Sequence, residues 1–150
     1  MKKTFSRVAA TQIIYNFEIN KKLKNYSELA ENDLIKIIDD NLVFTKDSLD
    51  NKPLSKTFAK NIVLGVINFQ DKIDEDITNN LNKNWSFKNL SPLFKAVLRC
   101  AVFEVISDKE NKYPLIISEY LKISDEYFNE EETKFINACV DSIKEKYKKV

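Results

Sequence analysis

The amino-acid sequence predicts an all-α protein of about seven helices, and three observations carry that prediction. The 150 residues contain one glycine and three prolines, too little punctuation for a chain of strands and hairpins. Apolar residues recur at intervals of three and four rather than two. Helix-start signals stand ahead of several of these stripes. At this length a single domain buries roughly two thirds of its unfolded surface, so a core forms without disulfides or metals.

Phe5, Ala9, Ile13 and Phe17, with Val8 and Ile14 beside them, form one buried face and predict a first helix ending near Ile19. The polar link NKKLKN follows. Leu29, Leu34, Ile37, Ile38 and Leu42 then predict one or two helices between Ser27 and Phe44. TKDSLDNKP, around Pro53, is charged and aperiodic and is expected to be a surface linker. Phe58, Ile62, Val66, Phe69, Ile73, Ile77 and Leu81 make one long helical stripe. Gly65 lies inside it; a helix-interior glycine costs about 1 kcal/mol relative to alanine, so it is expected to permit a close helix crossing. Ser91 as N-cap and Pro92 at the first helical position start the next helix. Pro114 begins another, through Ile116, Ile117, Tyr120 and Leu121. Asn129 with Glu132 resembles a capping box ahead of Phe135, Ile136, Cys139, Val140 and Ile143. No repeat of 20 to 50 residues is visible, which favours a globular bundle over a solenoid.

The Pro92 helix contains FKAVLRCAVFEV, apolar nearly all round, as a helix packed on every side should be. Arg99 and Glu104 interrupt it. Five residues apart, they point about 140° away from each other at 100° per residue. A buried charge without a partner costs several kcal/mol, so each is expected to reach a different neighbouring helix. Glu119 or Asp141 is the expected partner of Arg99, and Arg99, Glu104 and Glu119 are taken as structural ion-pair residues.

Composition excludes several functions. The formal net charge of +1 provides no global field for nucleic acid, so any basic site is local. One glycine forbids the phosphate-cradling loops GxGxxG and GxxxxGK[ST]. There is no histidine, and Cys100 and Cys139 lie far apart in apolar surroundings, which fits two buried thiols better than zinc, an iron-sulfur cluster or a disulfide. DKIDEDI, from Asp71 to Ile77, gathers acids but lacks the glycine and spacing of a calcium loop, and it continues a helical stripe. No catalytic constellation is present, and no metal or cofactor is expected. No apolar run approaches the roughly 20 residues of a membrane helix. The lysines of MKKTFSRVAATQIIYNF begin like a secretory signal, but Arg7, Thr11 and Gln12 interrupt its apolar segment, so the cytoplasm is the expected location.

One row invites a binding function. Lys3, Arg7, Thr11 and Tyr15, spaced by four, line up on the first helix away from Phe5, Ala9 and Ile13. Cations contact phosphates and a tyrosine face stacks an unpaired base, the combination that single-stranded nucleic acid requires. A solvated helix face with one half-buried tyrosine is the plainer alternative.

RVAATQIIY, LFKAVLRCAVFEV, YPLIISEYLKIS and TKFINACVDSI occur in that order. As an ordered set they resemble the NusB family of bacterial transcription antitermination proteins. The resemblance implies an all-α fold of two small helical bundles packed at an angle, here about residues 1–50 and 54–150 of a single domain. It also implies binding to boxA-type single-stranded RNA of ribosomal RNA leaders. A small-subunit ribosomal protein would be the partner, and the pair would join an antitermination complex on RNA polymerase. By the same resemblance Lys2, Lys3 and Arg7 are expected at the RNA, Tyr15 matches the family's helix-one tyrosine, and Glu131 falls near an acidic residue linked to RNA. A homodimer is compatible with this picture. The family's N-terminal arginine cluster is thinner here, with Thr4, Phe5, Ser6 and Val8 around Arg7. That thinness keeps a second reading open, a helical protein-interaction module with weak or lost RNA binding. NusB-like domains also precede RNA cytosine methyltransferases, but a methyl-donor-binding fold does not follow in this chain.

Overall fold

The first helix, α1 (Thr4–Ile19), lies between the two halves of the chain and touches helices from both. The computed structural model describes residues 3–50, 52–82 and 84–147, and among these the chain is helical throughout, without a strand. After α1 come α2 (Leu23–Tyr26), α3 (Glu31–Ser48), α4 (Lys56–Asn68), α5 (Gln70–Asn79), a single 3-10 turn (Phe87–Asn89), α6 (Pro92–Ile106), α7 (Tyr113–Tyr127) and α8 (Glu130–Tyr147). Eight α-helices thus stand where about seven were expected. None of the described helices is long and apolar enough to cross a membrane.

The expected starts at Ser91 and Asn129 operate as side-chain caps, α4 has a further one at Ser55 that was not among the expected signals, and α7, with Pro114 in its first turn, has none. Ser91 Oγ accepts from the Phe94 amide at 3.2 Å, and Ser55 Oγ does the same for Phe58. Asn129 and Glu132 exchange reciprocal bonds of 2.8 and 3.0 Å, a complete capping box for α8.

Three expectations need correction. The long stripe from Phe58 to Leu81 is two helices, α4 and α5, which meet at Phe69. Its ψ of 18° breaks the helix. Gln70, nearly buried, donates from Nε2 to the carbonyls of Ile67 and Leu23, fastening the corner to α2. A hydrophobic stripe continues across such a corner because both helices bury the same face. The linker is shorter than expected, since α3 runs on through TKDS to Ser48. Thr45 is buried there, and the charged neighbours simply face water. The polar link NKKLKN also contains the short helix α2, with Leu23 buried.

Chain reversals proceed without glycine. Lys21, with φ 57°, follows α1, and the Lys22 and Lys21 amides donate to the Phe17 and Glu18 carbonyls, the two bonds of a Schellman cap. Asp50, with φ 53°, ends α3 in the same conformation.

The core centres on α6, which α1, α4, α5, α7 and α8 all touch. Ala96, Val97, Leu98, Cys100, Ala101 and Val102 are fully buried along it. Burial pushes the thiols of Cys100 and Cys139 up to about 12, so both are inert hydrophobes. Where α4 crosses α6, a methyl group on Gly65 would fall inside the Phe103 ring. The single glycine is therefore placed where the Phe103 ring of α6 packs directly onto the α4 backbone.

At the far end, Asp76 of α5 is wholly buried and accepts from Lys146 at 2.9 Å, Lys72 at 3.3 Å and the Tyr147 hydroxyl. Burial alone raises its carboxyl pKa, but the bonds from Tyr147, Lys146 and Lys72 outweigh that and leave it lowered from 3.8. The last turn of α8 is thereby fastened to α5.

Gly65→Ala is expected to destabilise by about 2 kcal/mol, because overpacking exceeds the gain in helix propensity. In urea unfolding, Gly65→Ala combined with Phe103→Ala should lose less than the sum of the single losses. The lowered Asp76 contributes stability that is present above its unfolded value and is lost as pH falls through its folded value. Below about pH 4 the unchanged protein should therefore lose stability more steeply than Asp76→Asn, as followed by thermal melts against pH.

Candidate nucleic-acid interface

Helix α1 sets the positions of the expected binding residues. It runs antiparallel to α6, with Arg7 against Glu104 near one end and Glu18 against Arg99 near the other. Packing against α3, α4, α6 and α7 leaves it little free surface.

Only part of the row Lys3, Arg7, Thr11, Tyr15 meets solvent. Lys3 precedes the helix, half-buried, its ammonium 5.5 Å from the centre of the Phe58 ring. Tyr15 is half-buried against the core. Arg7 and Thr11, expected on the outer face, are 5% and 2% exposed. Thr11 Oγ1 donates to the Arg7 carbonyl at 2.9 Å. The periodicity located the apolar face correctly but not its width: α4 and α6 both cover α1, and the polar row falls beneath them. Lys2 lies outside the described residues. Glu131, in the first turn of α8, is exposed.

The Arg7 guanidinium is bound by two oxygens of one carboxylate. Nε donates to Glu104 Oε2 at 2.7 Å and Nη2 to Oε1 at 2.9 Å. The Tyr120 hydroxyl of α7 donates to the same Oε2 at 2.5 Å. Burial lowers the Arg7 pKa by itself, but bonding to Glu104 more than reverses this and raises it, so Arg7 carries its charge at all working pH. Burial and the neighbouring Glu104 push the Tyr120 hydroxyl well above 10. Glu119 completes the cluster. Its Oε1 accepts from Thr4 Oγ1 at 2.6 Å and lies 3.6 Å from Arg7 Nη1, while Lys122 approaches Oε2 at 3.4 Å.

Arg99 does not pair with Glu119 or Asp141. It makes a two-point contact with Asp74 of α5, at 2.9 and 3.0 Å, and donates to Glu18 of α1 at 2.6 Å. Asp141 is exposed and accepts from Tyr113. The sequence offers several acids at suitable heights, and only the packing chooses among them.

Two concave features escaped the sequence. The first turn of α8 borders a cavity of about 420 Å³ lined by Asn84, Trp85, Ser86, Asn89, Phe94 and Glu132. Trp85 stacks on Phe135 there, with ring centres 4.3 Å apart and planes 13° apart, and Phe94 packs against both. The chain's one tryptophan, in an otherwise polar loop, was the available signal. A larger cleft, about 920 Å³, opens where the start of α1, α4, the end of α6 and the start of α7 meet. Lys3, Arg7, Phe58, Asn61, Phe103 and Leu115 are among its walls. Its residues come from four distant segments, so no sequence pattern announces it.

Lys3 and Glu131 lie towards opposite ends of α1. Phe135 and Phe128 pack on Phe94 at the start of α6, beside the end of α1. The 16 residues of α1 span about 24 Å between those ends. Among the described residues, no group of three or more metal-ligating side chains occurs.

The Arg7 cluster should behave as a unit. Glu104→Gln is expected to cost about 3 kcal/mol by leaving the guanidinium buried without its counter-charge. Arg7→Met, Glu104→Leu and Tyr120→Phe together should restore most of that loss, measured by urea unfolding.

The model of the NusB family matches residues 4–145. A Clostridium botulinum protein named transcription antitermination protein NusB is 32% identical over 151 residues, covering 97% of this chain and all of the relative. One of the same name from Sinorhizobium medicae is 30% identical over 140 residues, covering 92% and 82%. Another from Treponema denticola is 35% identical over 112 residues, covering 73% and 82%. The solved T. maritima NusB superposes with a TM-score of 0.75 over 98% of this chain and 93% of its own, at 23% identity, which shows the shared fold. Matched along nearly its whole length, the chain belongs to the NusB family of non-enzymatic transcription antitermination proteins.

Proposed function

We propose that the chain binds boxA-type single-stranded RNA of ribosomal RNA leaders together with a small-subunit ribosomal protein, and that the pair joins an antitermination complex on RNA polymerase. The family match from residue 4 to residue 145 is the observation that carries this reading. In it, Lys2 and Lys3 contact phosphates at one end of α1. Tyr15 offers a stacking or hydrogen-bonding surface along the helix, and Glu131 borders the strand at the start of α8. Arg7 and Thr11 act from beneath, holding the first turn of α1 behind Lys3.

The burial of Arg7 favours the second reading in one respect, since it removes a cation from an already thin basic cluster. A protein-interaction module that has lost RNA binding would hold the ribosomal protein tightly while adding no RNA affinity to the complex.

Titrations with boxA-like RNA, the ribosomal protein, and both together separate the two. For the RNA-binding reading, log affinity should fall with log salt, and Lys2→Ala with Lys3→Ala should make that slope shallower by about 1.4, from two phosphates on a single strand. An unchanged affinity and slope in the double variant would remove the lysines from the interface.

A further inference from the structure

The segment between α3 and α4, expected from the sequence to be a surface linker, brings the chain back to the start of α1. The Ser55 amide donates to Ser6 Oγ at 2.8 Å, so the first turns of α1 and α4 lie against each other. Lys52 of the linker places its ammonium 5.6 Å from the centre of the Phe5 ring on α1. Lys3 places its own 5.5 Å from the centre of the Phe58 ring on α4. Lys56, the first residue of α4, follows Ser55 directly. Two helix starts and a linker thereby gather three lysines that are distant in sequence.

These lysines keep their charge for an outside partner. Lys52 and Lys56 are exposed, and among the described residues neither they nor Lys3 form an ion pair, Asp47 and Asp50 at the end of α3 included. The other acids close by are engaged. Glu119 is held by Thr4, Arg7 and Lys122, and Asp39 by Lys60 at 3.1 Å. Neither α1 nor α4 has an acid in its first turn. Resting on a ring face favours a cation and restricts its side chain, so Lys52 and Lys3 lose less freedom on meeting a ligand than freely moving lysines would. Separate cations along a surface suit a ligand whose negative charge repeats along its length, as that of a single-stranded backbone does. Continuity decides the occupant, because Lys3 already belongs to the RNA contact proposed above.

We propose that Lys52 and Lys56 are further phosphate-contacting residues, which carry the single-stranded RNA past the start of α1 onto the linker and the start of α4. This rests on the RNA-binding reading above and extends it: cations that the N-terminal segment lacks are supplied from the far side of α3.

The test titrates boxA-like RNA over a range of salt, with and without the ribosomal protein, into the unchanged chain and three double variants, each checked for folding by thermal melting. Lys52→Gln with Lys56→Gln should weaken RNA binding about tenfold or more at about 0.1 M salt and make the salt slope shallower by about 1.4, from two phosphates on a single strand. Lys52→Arg with Lys56→Arg should retain both affinity and slope. Lys36→Gln with Lys144→Gln removes the same charge from α3 and α8 and should leave the slope unchanged. Unchanged affinity and slope in the Lys52 and Lys56 glutamine pair overturns the proposal. Equal loss in the Lys36 and Lys144 pair overturns it too, by reducing the effect to net charge. A fall in ribosomal-protein affinity with RNA affinity retained gives the lysines to the protein partner instead. If the glutamine pair at Lys52 and Lys56 is silent while Lys2→Ala with Lys3→Ala still weakens binding, only this extension fails. If the unchanged chain binds no boxA-like RNA, alone or with the ribosomal protein, the RNA reading falls and takes this one with it.

Discussion

Two ion pairs of opposite sense fix α1 against α6, and the other helices are arranged around that pair. Arg7 of α1 meets Glu104 of α6, and Glu18 of α1 meets Arg99 of α6. The order of charges along each helix is the same, cation first and acid second. Antiparallel packing therefore matches opposite charges at both ends, whereas parallel packing would set arginine near arginine and acid near acid. Buried pairs add little net stability over well-packed apolar residues, but a mismatched pair costs several kcal/mol, so orientation is what they settle. The remaining partners arrive from other helices: Tyr120 of α7 on Glu104, Asp74 of α5 on Arg99. The two charges within the apolar run of α6 thus tie four helices together.

Features decided within a few residues were legible in the sequence. The caps at Ser91 and Asn129 use side chains three positions from the amides they satisfy, and the spacing alone exposes them. Gly65 was legible for a different reason: in a chain with one glycine, a helix-interior position requires a close neighbour. Features decided by packing were not. The corner at Phe69 depends on Gln70 finding the carbonyl of Leu23, 47 positions away, and nothing in the stripe records that contact. Arg99 met the same difficulty, because the choice of Asp74 over Glu119 is made by the placement of α5.

For the candidate site, residue types were more legible than their exposure. The spacing of Lys3, Arg7, Thr11 and Tyr15 does form a row, yet a row on a helix covered from both sides is largely interior. The polar residues along it are accommodated by bonds to Glu104 and to the backbone rather than by water. A polar face on a central helix is therefore weaker testimony to solvent than the same face on a peripheral one. The cleft and the Trp85 cavity show the converse limit, since each is assembled from segments that no local pattern connects.

The start of α1 departs from the electrostatic rule that the start of α8 obeys. Helix N-termini carry partial positive charge and favour acids. Helix α8 begins with Glu130, Glu131 and Glu132. Helix α1 has no acid in its first turn and no side-chain cap, and cations stand at Lys3 and Arg7. Local energetics alone would fray such an end. Glu104 and Glu119 supply the missing negative charge from α6 and α7, and Thr4 is bonded to Glu119, so tertiary structure holds the turn in place. That support neutralises Arg7 beneath the surface and leaves Lys3 half-buried against Phe58. A local rule is thus broken at the start of α1 and compensated from two other helices.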